Sequence, residues 1–349
     1  MKTAIIAITR NGARLGALLQ DRLPESRLFV IAKYAEGAAT PFSDGVQALV
    51  EPLWPACRGF VFIMATGIVV RTIAPLLTTK DRDPAVVSMD DAGRFAVSLL
   101  AGHLGGANAL AEACAEITGS TPVVTTATDV NDLPSFDMLA KDKGWHIDDL
   151  SRVKVLNALL LEGEEIAVVD PSGEVERYFA GKGKLTFHED FVKALASGAK
   201  GLLFVTNRLI APDESSKRLL VLRPENLVLG IGCNRGTEAS EIGEVVREHL
   251  EMLSLSAASV RRIATARAKA DEPGLLAFAG EFGKPLVAFE SEELNEVEFP
   301  SPPSEHAFAA IGAKGVAEPA ALLASGGGKL ILHKIKSGNI TLAIAEKTN

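Results

Sequence analysis

Cysteine, aromatic residues, basic clusters and long apolar runs are all scarce in this chain, and each scarcity removes a class of function. The three cysteines, Cys57, Cys114 and Cys233, are odd in number, widely spaced and never arranged as a CxxC pair. Such spacing builds neither a disulfide framework nor a zinc site, and it fits a reducing compartment, so a cytoplasmic location is expected. The six histidines show no HxH or HxxxH spacing, and no metal bound by the protein itself is expected. Aromatic residues are only 5% of the chain, too few for a platform that stacks nucleic acid bases. Lysine and arginine total 36 against 44 aspartate and glutamate, a formal net charge of −8, with no dense basic block. A nucleic acid partner is therefore excluded from the reading. The longest apolar run, Phe60 to Val70, is interrupted by Thr66 and Gly67 and falls short of the ~20 residues a spanning helix needs, so no membrane partner is expected. The opening stretch Met1–Ile8 is too short for a secretion signal and reads as a first strand.

What the chain does have is aliphatic and small residues: hydrophobic types make up 47% of it, and 31 residues are glycine. At 349 residues it should hold two or three domains, given roughly 100–200 residues for each. The first ~130 residues alternate short β-rich runs with amphipathic stretches, the pattern of a mostly parallel sheet covered by helices. Strands are predicted at Thr3–Thr9, Leu28–Ala32, Gly59–Met64, Ala85–Met89, Arg94–Leu100 and Pro122–Thr126, and helices at Ala13–Leu23, Val46–Trp54, Ile68–Leu77 and Ala107–Ile117. The Asp90–Gly93 turn makes Val86–Met89 and Phe95–Leu99 a hairpin. A less regular middle region carries a helix near Val153–Leu161 and strands at Ile166–Val169 and Leu202–Thr206, while Gly181–Asp190 has no period. A new unit starts at Leu227 and closes with a hairpin of Lys329–His333 and Ile340–Ala345. The fold class is thus α/β and multi-domain: an N-terminal α/β domain over 1–140, a middle connecting α/β region over 141–225, and a separate C-terminal α/β domain over 226–349.

Several strand-to-helix junctions carry residues capable of chemistry. The segment Ser98-Leu99-Leu100-Ala101-Gly102-His103-Leu104-Gly105-Gly106-Ala107-Asn108 sets His103 in a glycine-rich turn. There Gly105 and Gly106 let a ligand approach the backbone and the helix start offers N–H groups to an anion. A histidine in that turn can move a proton near neutral pH; it can equally cap or pack in a plain tight turn. Thr125–Asp132, with Asp129, lies at the carboxyl end of a strand, where ligands of open sheets bind. Its hydroxyls, carboxylate and amide can orient water, although taken alone they favour a turn and a helix cap. Gly67 and Arg71 form a third junction, with Arg71 suited to a carboxylate or to open solvent. Gly230–Thr237 departs from the dinucleotide pattern because Arg235 stands where the third glycine belongs, and Cys233 within it reads as a buried small hydrophobe. Glu272 and Glu318 each precede a proline at a helix start, with Lys269 and Lys314 nearby, so acid and base groups cluster at two similar junctions.

The segments Ala65–Ile68, Ser98–Asn108 and Thr125–Asp129, followed in order by Gly230–Thr237, Lys269–Gly274 and Gly315–Leu322, resemble those of the cobalt-precorrin-5A hydrolases. The resemblance spans nearly the whole chain and is weakest before residue 50 and in the middle region. It implies an enzyme of anaerobic cobalamin biosynthesis that opens the δ-lactone of its substrate and releases acetaldehyde, giving cobalt-precorrin-5B. It also implies that the partner is an anionic cobalt-containing tetrapyrrole, that cobalt arrives within it and that the protein binds no cofactor of its own. Transient contact with neighbouring enzymes of the B12 pathway belongs to the same expectation.

Lactone opening needs an activated water, oxyanion stabilisation and protonation of the leaving oxygen. Set against those needs, His103 is the first candidate for proton transfer and Glu318 and Glu272 the next. The N–H groups around Gly105–Gly106 are candidates for the oxyanion. Gly67, Arg71, Asn108, Asp129, Arg235 and Lys314 are expected to contact the substrate. Two other readings stand beside this one: a non-catalytic corrinoid-binding or carrier protein of the same pathway, and a nucleotide-binding α/β protein, which lacks both diagnostic phosphate loops.

Overall fold

The computed structural model describes residues 2–79, 82–211 and 217–347, and the chain divides into two compact units, the first ending at Met138 and the second starting at Leu139. Among the described residues the first unit holds one seven-stranded sheet. Its strands are β1 (Thr3–Ala7), β2 (Ser26–Ile31), β3 (Thr40–Phe42), β4 (Gly59–Ile63), β5 (Ala85–Met89), β6 (Phe95–Leu100) and β7 (Thr121–Val123). They lie in the order β3-β2-β1-β4-β5-β6-β7. The first five run parallel, β6 turns back antiparallel to β5 as the expected hairpin, and β7 runs parallel to β6. The last two strands therefore point their carboxyl ends the opposite way from the other five.

Helices cover both faces of this sheet, and the alternation of apolar residues along each strand assigns them. Ile5, Ala7, Val61, Ile63, Val87 and Met89 pack beneath α1 (Arg10–Arg22) and α4 (Ala107–Thr118) through Leu19, Ala111 and Cys114. Ala4, Ile6, Phe60, Phe62 and Val86 face the other way, onto α2 (Val46–Leu53) and α3 (Thr66–Ile73) through Val50, Val69 and Ile73. Two short helices follow the sheet, α5 (Ala127–Val130) and α6 (Phe136–Lys143).

Among the described residues the second unit contains two five-stranded sheets. One comprises β8 (His146–Ile147), β9 (Ile166–Val169), β10 (Leu185–Phe187), β11 (Gly201–Val205) and β12 (Leu219–Arg223), ordered β10-β9-β11-β12-β8 with only β8 antiparallel. It is flanked by α7 (Leu150–Leu161), α8 (Glu174–Phe179) and α9 (Phe191–Ala196). Arg223, 3% exposed, ends β12 and forms a bidentate pair with Asp148, so the charge at the close of an otherwise apolar strand is neutralised.

The other sheet comprises β13 (Leu227–Cys233), β14 (Val260–Ala266), β15 (Leu286–Phe289), β16 (Lys329–Ser337) and β17 (Ile340–Glu346), ordered β15-β14-β13-β17-β16. The first three run parallel, and β16 and β17 form the expected antiparallel hairpin. Leu227, Leu229 and Ile231 face α10 (Ala239–Met252) and α11 (Pro273–Phe282). Val228, between them in sequence, faces the opposite helix layer, where α12 (Ser291–Glu296), α13 (Glu305–Ile311) and α14 (Ala317–Ser325) lie. The architecture is the α/β arrangement of helix-covered, mostly parallel sheets read from the sequence.

Candidate active site

The turn after β6 is shaped by backbone constraints before any ligand is considered. Ala101 and Gly106 both take positive φ, 56° and 91°. A Cβ on Gly105 would lie 2.3 Å from the Ala101 Cβ and 2.7 Å from its carbonyl oxygen. The chain can fold back this tightly only because residues 105 and 106 lack side chains. The reversal lets the Ala107 and Asn108 N–H groups donate to the carbonyls of Ala101 and Gly102, at 3.1 and 3.0 Å. The Gly106 N–H donates to the His103 carbonyl at 3.0 Å, so of the two amides expected to hold an oxyanion, this one is already engaged by the turn.

His103 is thereby pinned at the carboxyl end of β6, beside the carboxyl end of β7 and the helices that follow it. Its Nε2 lies 2.7 Å from Oδ2 of Asp129 and 3.2 Å from the Thr128 hydroxyl, both on α5. On the other side of the ring, Nδ1 lies 3.6 Å from Oδ2 of Asp137 in the first turn of α6. Asn108 completes the cluster: its Nδ2 donates to Asp129 at 2.9 Å and to the Thr126 hydroxyl at 3.2 Å, and its Oδ1 accepts from Ser98 at 2.6 Å. The Thr126 hydroxyl thus serves Asn108 and does not cap α5, whose first turn has no side-chain cap. His103, Asn108 and Asp129 are thus brought into one hydrogen-bonded cluster.

The electrostatics follow from this packing. Asp137 holds the His103 imidazolium and raises its proton affinity above the ordinary value near 6.5; burial opposes the rise, and Asp129 adds to it. The side chains of His103 and Asp137 are only 16% and 9% exposed, whereas that of Asp129 is 43% exposed. Asp129 is therefore the member of the pair that faces solvent, and Asp137 the member that orients the ring from behind. Sequence reasoning missed Asp137. A single aspartate in a first helical turn looks like ordinary compensation of the helix dipole, and only the fold brings it to an imidazole.

Other expected residues fall elsewhere. Gly67 and Arg71 follow β4, whose carboxyl end pairs with that of β5, while β6 runs antiparallel to both. They therefore lie at the opposite end of the sheet from His103. Arg71 is exposed, and a Cβ on Gly67 would meet only its guanidinium, at 3.8 Å. At that same end the helix start of α1, where a nucleotide phosphate would sit, is filled by the chain's own Asp91. Asp91 accepts from the Gly12 N–H at 3.1 Å and from the Thr9 hydroxyl, which argues against the nucleotide reading.

In the second unit Glu272 and Glu318 are buried and face backbone amides. Glu272 accepts from the Gly236 N–H at 2.6 Å. Glu318 accepts from the N–H groups of Lys334 at 3.0 Å and Ser301 at 3.2 Å, with the 67%-exposed His333 at 3.5 Å. Arg235 lines a cleft at the carboxyl end of β13; Lys314 stands next to that cleft in sequence, and its N–H donates to Asn295 at 2.7 Å. Cys233 is buried, as expected, and burial pushes its thiol up, away from nucleophilic character. Among the described residues no group of three or more His, Cys, Asp and Glu side chains could hold a metal ion.

Residues 48–129 match the family description Cobalamin synthesis G N-terminal, residues 134–224 match Cobalamin biosynthesis central region, and residues 227–345 match Cobalamin synthesis G C-terminus. The chain is 36% identical over 352 aligned positions to the cobalt-precorrin-5A hydrolase of Priestia megaterium, covering 98% of this chain and 94% of that protein. The chain belongs to the cobalt-precorrin-5A hydrolase family. A hydrolase of the same name from Salmonella typhimurium strain LT2 is 31% identical over 342 positions, covering 98% of this chain and 96% of that protein. The similarity also extends to Protein CobE of Sinorhizobium sp, 38% identical over 121 positions, or 34% of this chain and 79% of that protein. Within this member of the hydrolase family, His103, Asn108 and Asp129 lie in the N-terminal match and Asp137 in the central one.

Proposed function

We propose that this chain opens the δ-lactone of cobalt-precorrin-5A and releases the two-carbon fragment as acetaldehyde, giving cobalt-precorrin-5B, with His103 moving the protons. The observation that carries the residue assignment is the position of His103 between Asp129 and Asp137, which raises its proton affinity. Hydrolysis of the lactone takes one proton from the attacking water and delivers one to the departing ring oxygen. In this reading the partly exposed Asp129 takes the first and the His103 imidazolium supplies the second. Passage of the proton from Asp129 back to Nε2, across 2.7 Å, then restores the pair. Loss of the fragment uses the same groups. A base takes the proton of the newly freed hydroxyl as the C–C bond breaks, the electron pair stays on the macrocycle, and that carbon then receives the proton. Atoms and charge balance, and acetaldehyde departs.

Asn108, held by Ser98, fixes the Asp129 carboxylate, and Asp137 fixes the ring. Cobalt enters as part of the substrate in this scheme, and the protein needs no cofactor of its own. Among the described residues no helix is long and apolar enough to cross a membrane. A cytoplasmic setting, with hand-over to neighbouring pathway enzymes, is the location this reading assigns.

The test is to mix the purified chain with cobalt-precorrin-5A, trap and quantify acetaldehyde against a no-enzyme control, and weigh the macrocycle. Release with the matching mass loss supports the hydrolase. Tight binding without release would replace it with a corrinoid-binding protein.

A further inference from the structure

We propose that the cleft at the carboxyl ends of β13 and β14 is a docking site for the peripheral carboxylates of an acidic tetrapyrrole; the ligand class rests on the function proposed above. The cleft measures about 580 Å³ and is lined by Arg235, Lys269, Lys334 and Lys336, with His306 at the side and no acidic residue on its walls. The second cleft of this unit, about 630 Å³, carries four carboxylates and three cations and so compensates its own charge. Among the described residues Arg235, Lys269 and Lys336 have no ion-pair partner, and the Lys334 ammonium reaches only the Pro302 carbonyl, at 3.4 Å. Uncompensated cations in a concave wall focus their field into it and favour an anion from solution.

Local structure aims these charges. Ile335 packs on the core of this sheet, while its neighbours Lys334 and Lys336 both line the cleft. The Lys334 backbone is anchored by Glu318, and the rim loops are tied together by Asn234, whose N–H and Nδ2 donate to Asn339 at 2.9 Å each. Two carboxylates bonded to the rim loops are already engaged: Glu241 accepts from Asn339, and Glu272 from Gly236. The same lining includes the apolar side chains of Ala307, Ala310, Ile311 and Val316. A lining that mixes cations with apolar side chains suits a hydrocarbon ring edged with carboxylates better than a free phosphate, which has no use for the apolar part.

The experiment uses the full chain and two probes, a corrinoid with free peripheral carboxylates and the same ring with those groups amidated. Binding is followed by absorbance for wild type, Lys269→Ala/Lys336→Ala and Lys269→Arg/Lys336→Arg. Wild type should prefer the acid form at least tenfold, the alanine pair should lose that preference, and the arginine pair should keep it. With cobalt-precorrin-5A as substrate, the alanine pair should raise KM at least tenfold while kcat falls far less. Equal weakening toward both probes, or an unchanged KM, overturns the docking site and leaves the hydrolase reading standing. Absence of acetaldehyde release by wild type, with the acid preference intact, sinks the hydrolase reading alone.

Discussion

Asp137 in the first unit and Glu318 in the second are both shielded from water, with side chains 9% and 1% exposed, yet they face different kinds of partner. Asp137 faces an imidazole that gains and loses a proton near neutral pH, and it shifts that equilibrium. Glu318 accepts from two backbone N–H groups and so clamps β16 to the segment before α13; its own imidazole neighbour, His333 at 3.5 Å, is 67% exposed, where His103 is enclosed. Burial of a carboxylate alone does not mark it as catalytic; a titratable partner enclosed with it does. The largest expected effect follows directly. His103→Ala should lower kcat by about 10²–10⁴, the range of a lost general acid–base group, with the folded state intact by circular dichroism. Near-normal acetaldehyde release by that variant would break the comparison.

Glu318→Ala tests the other side. Removing the carboxylate strands the part-buried N–H groups of Ser301 and Lys334, at a cost of about 2–6 kcal/mol for the two together. The loss should show in urea unfolding, and Glu318→Gln should recover part of it because the amide oxygen still accepts one bond. If the alanine variant kept full stability but lost turnover, Glu318 would move from clamp to catalyst.

Asp137→Asn sharpens the contrast. It removes the leading cause of the raised His103 proton affinity while keeping a hydrogen-bonding group of the same size. An NMR titration should find the imidazole pKa lowered, and the limb of the rate profile that needs protonated His103 should move to lower pH. The accompanying loss in kcat should be on the order of tenfold, smaller than that of His103→Ala. An unmoved profile would show that Asp137 only packs.

Much of the framework was legible in the residues. Ala85–Met89 and Ile166–Val169 occupy the limits read for them, because turn residues or proline bound each apolar run. β12 escaped notice because its apolar run ends in Arg223, whose burial is explained by Asp148, 75 residues away in sequence, and by the carbonyls of Thr206 and Arg208. β3 and β10 have three residues each, and β10 sits in a charged, glycine-dotted stretch, so neither can display a period. In the site, His103 and Asn108 share one turn and Asp129 follows the neighbouring strand, so their convergence needed only that β6 and β7 run side by side. Arg71 went to the other end of the sheet for a reason the hairpin already contained: a reversed β6 carries its carboxyl end away from that of β4. The convergence of Asp137 on His103 depends on how α6 returns to the sheet, which no local pattern records.

The smallest expected effect is a pH dependence of stability. The native pKa of His103 lies above its unfolded value near 6.5, so the native state holds the proton more tightly than the unfolded chain does. The stabilisation is fully present below that unfolded value, while both aspartates are ionised, and is lost as pH rises through the native pKa. In His103→Gln, which has no proton to hold, that contribution is absent at every pH. The stability gap between wild type and variant should therefore be widest on the acid side and narrow as pH rises, with a slope of at most about 1.4 kcal/mol per pH unit for a single proton. Urea titrations at intervals from about pH 5 to about pH 9 read the gap directly. A gap that widened with rising pH would mean that His103 is held neutral in the native state, and it would then have to act first as a base.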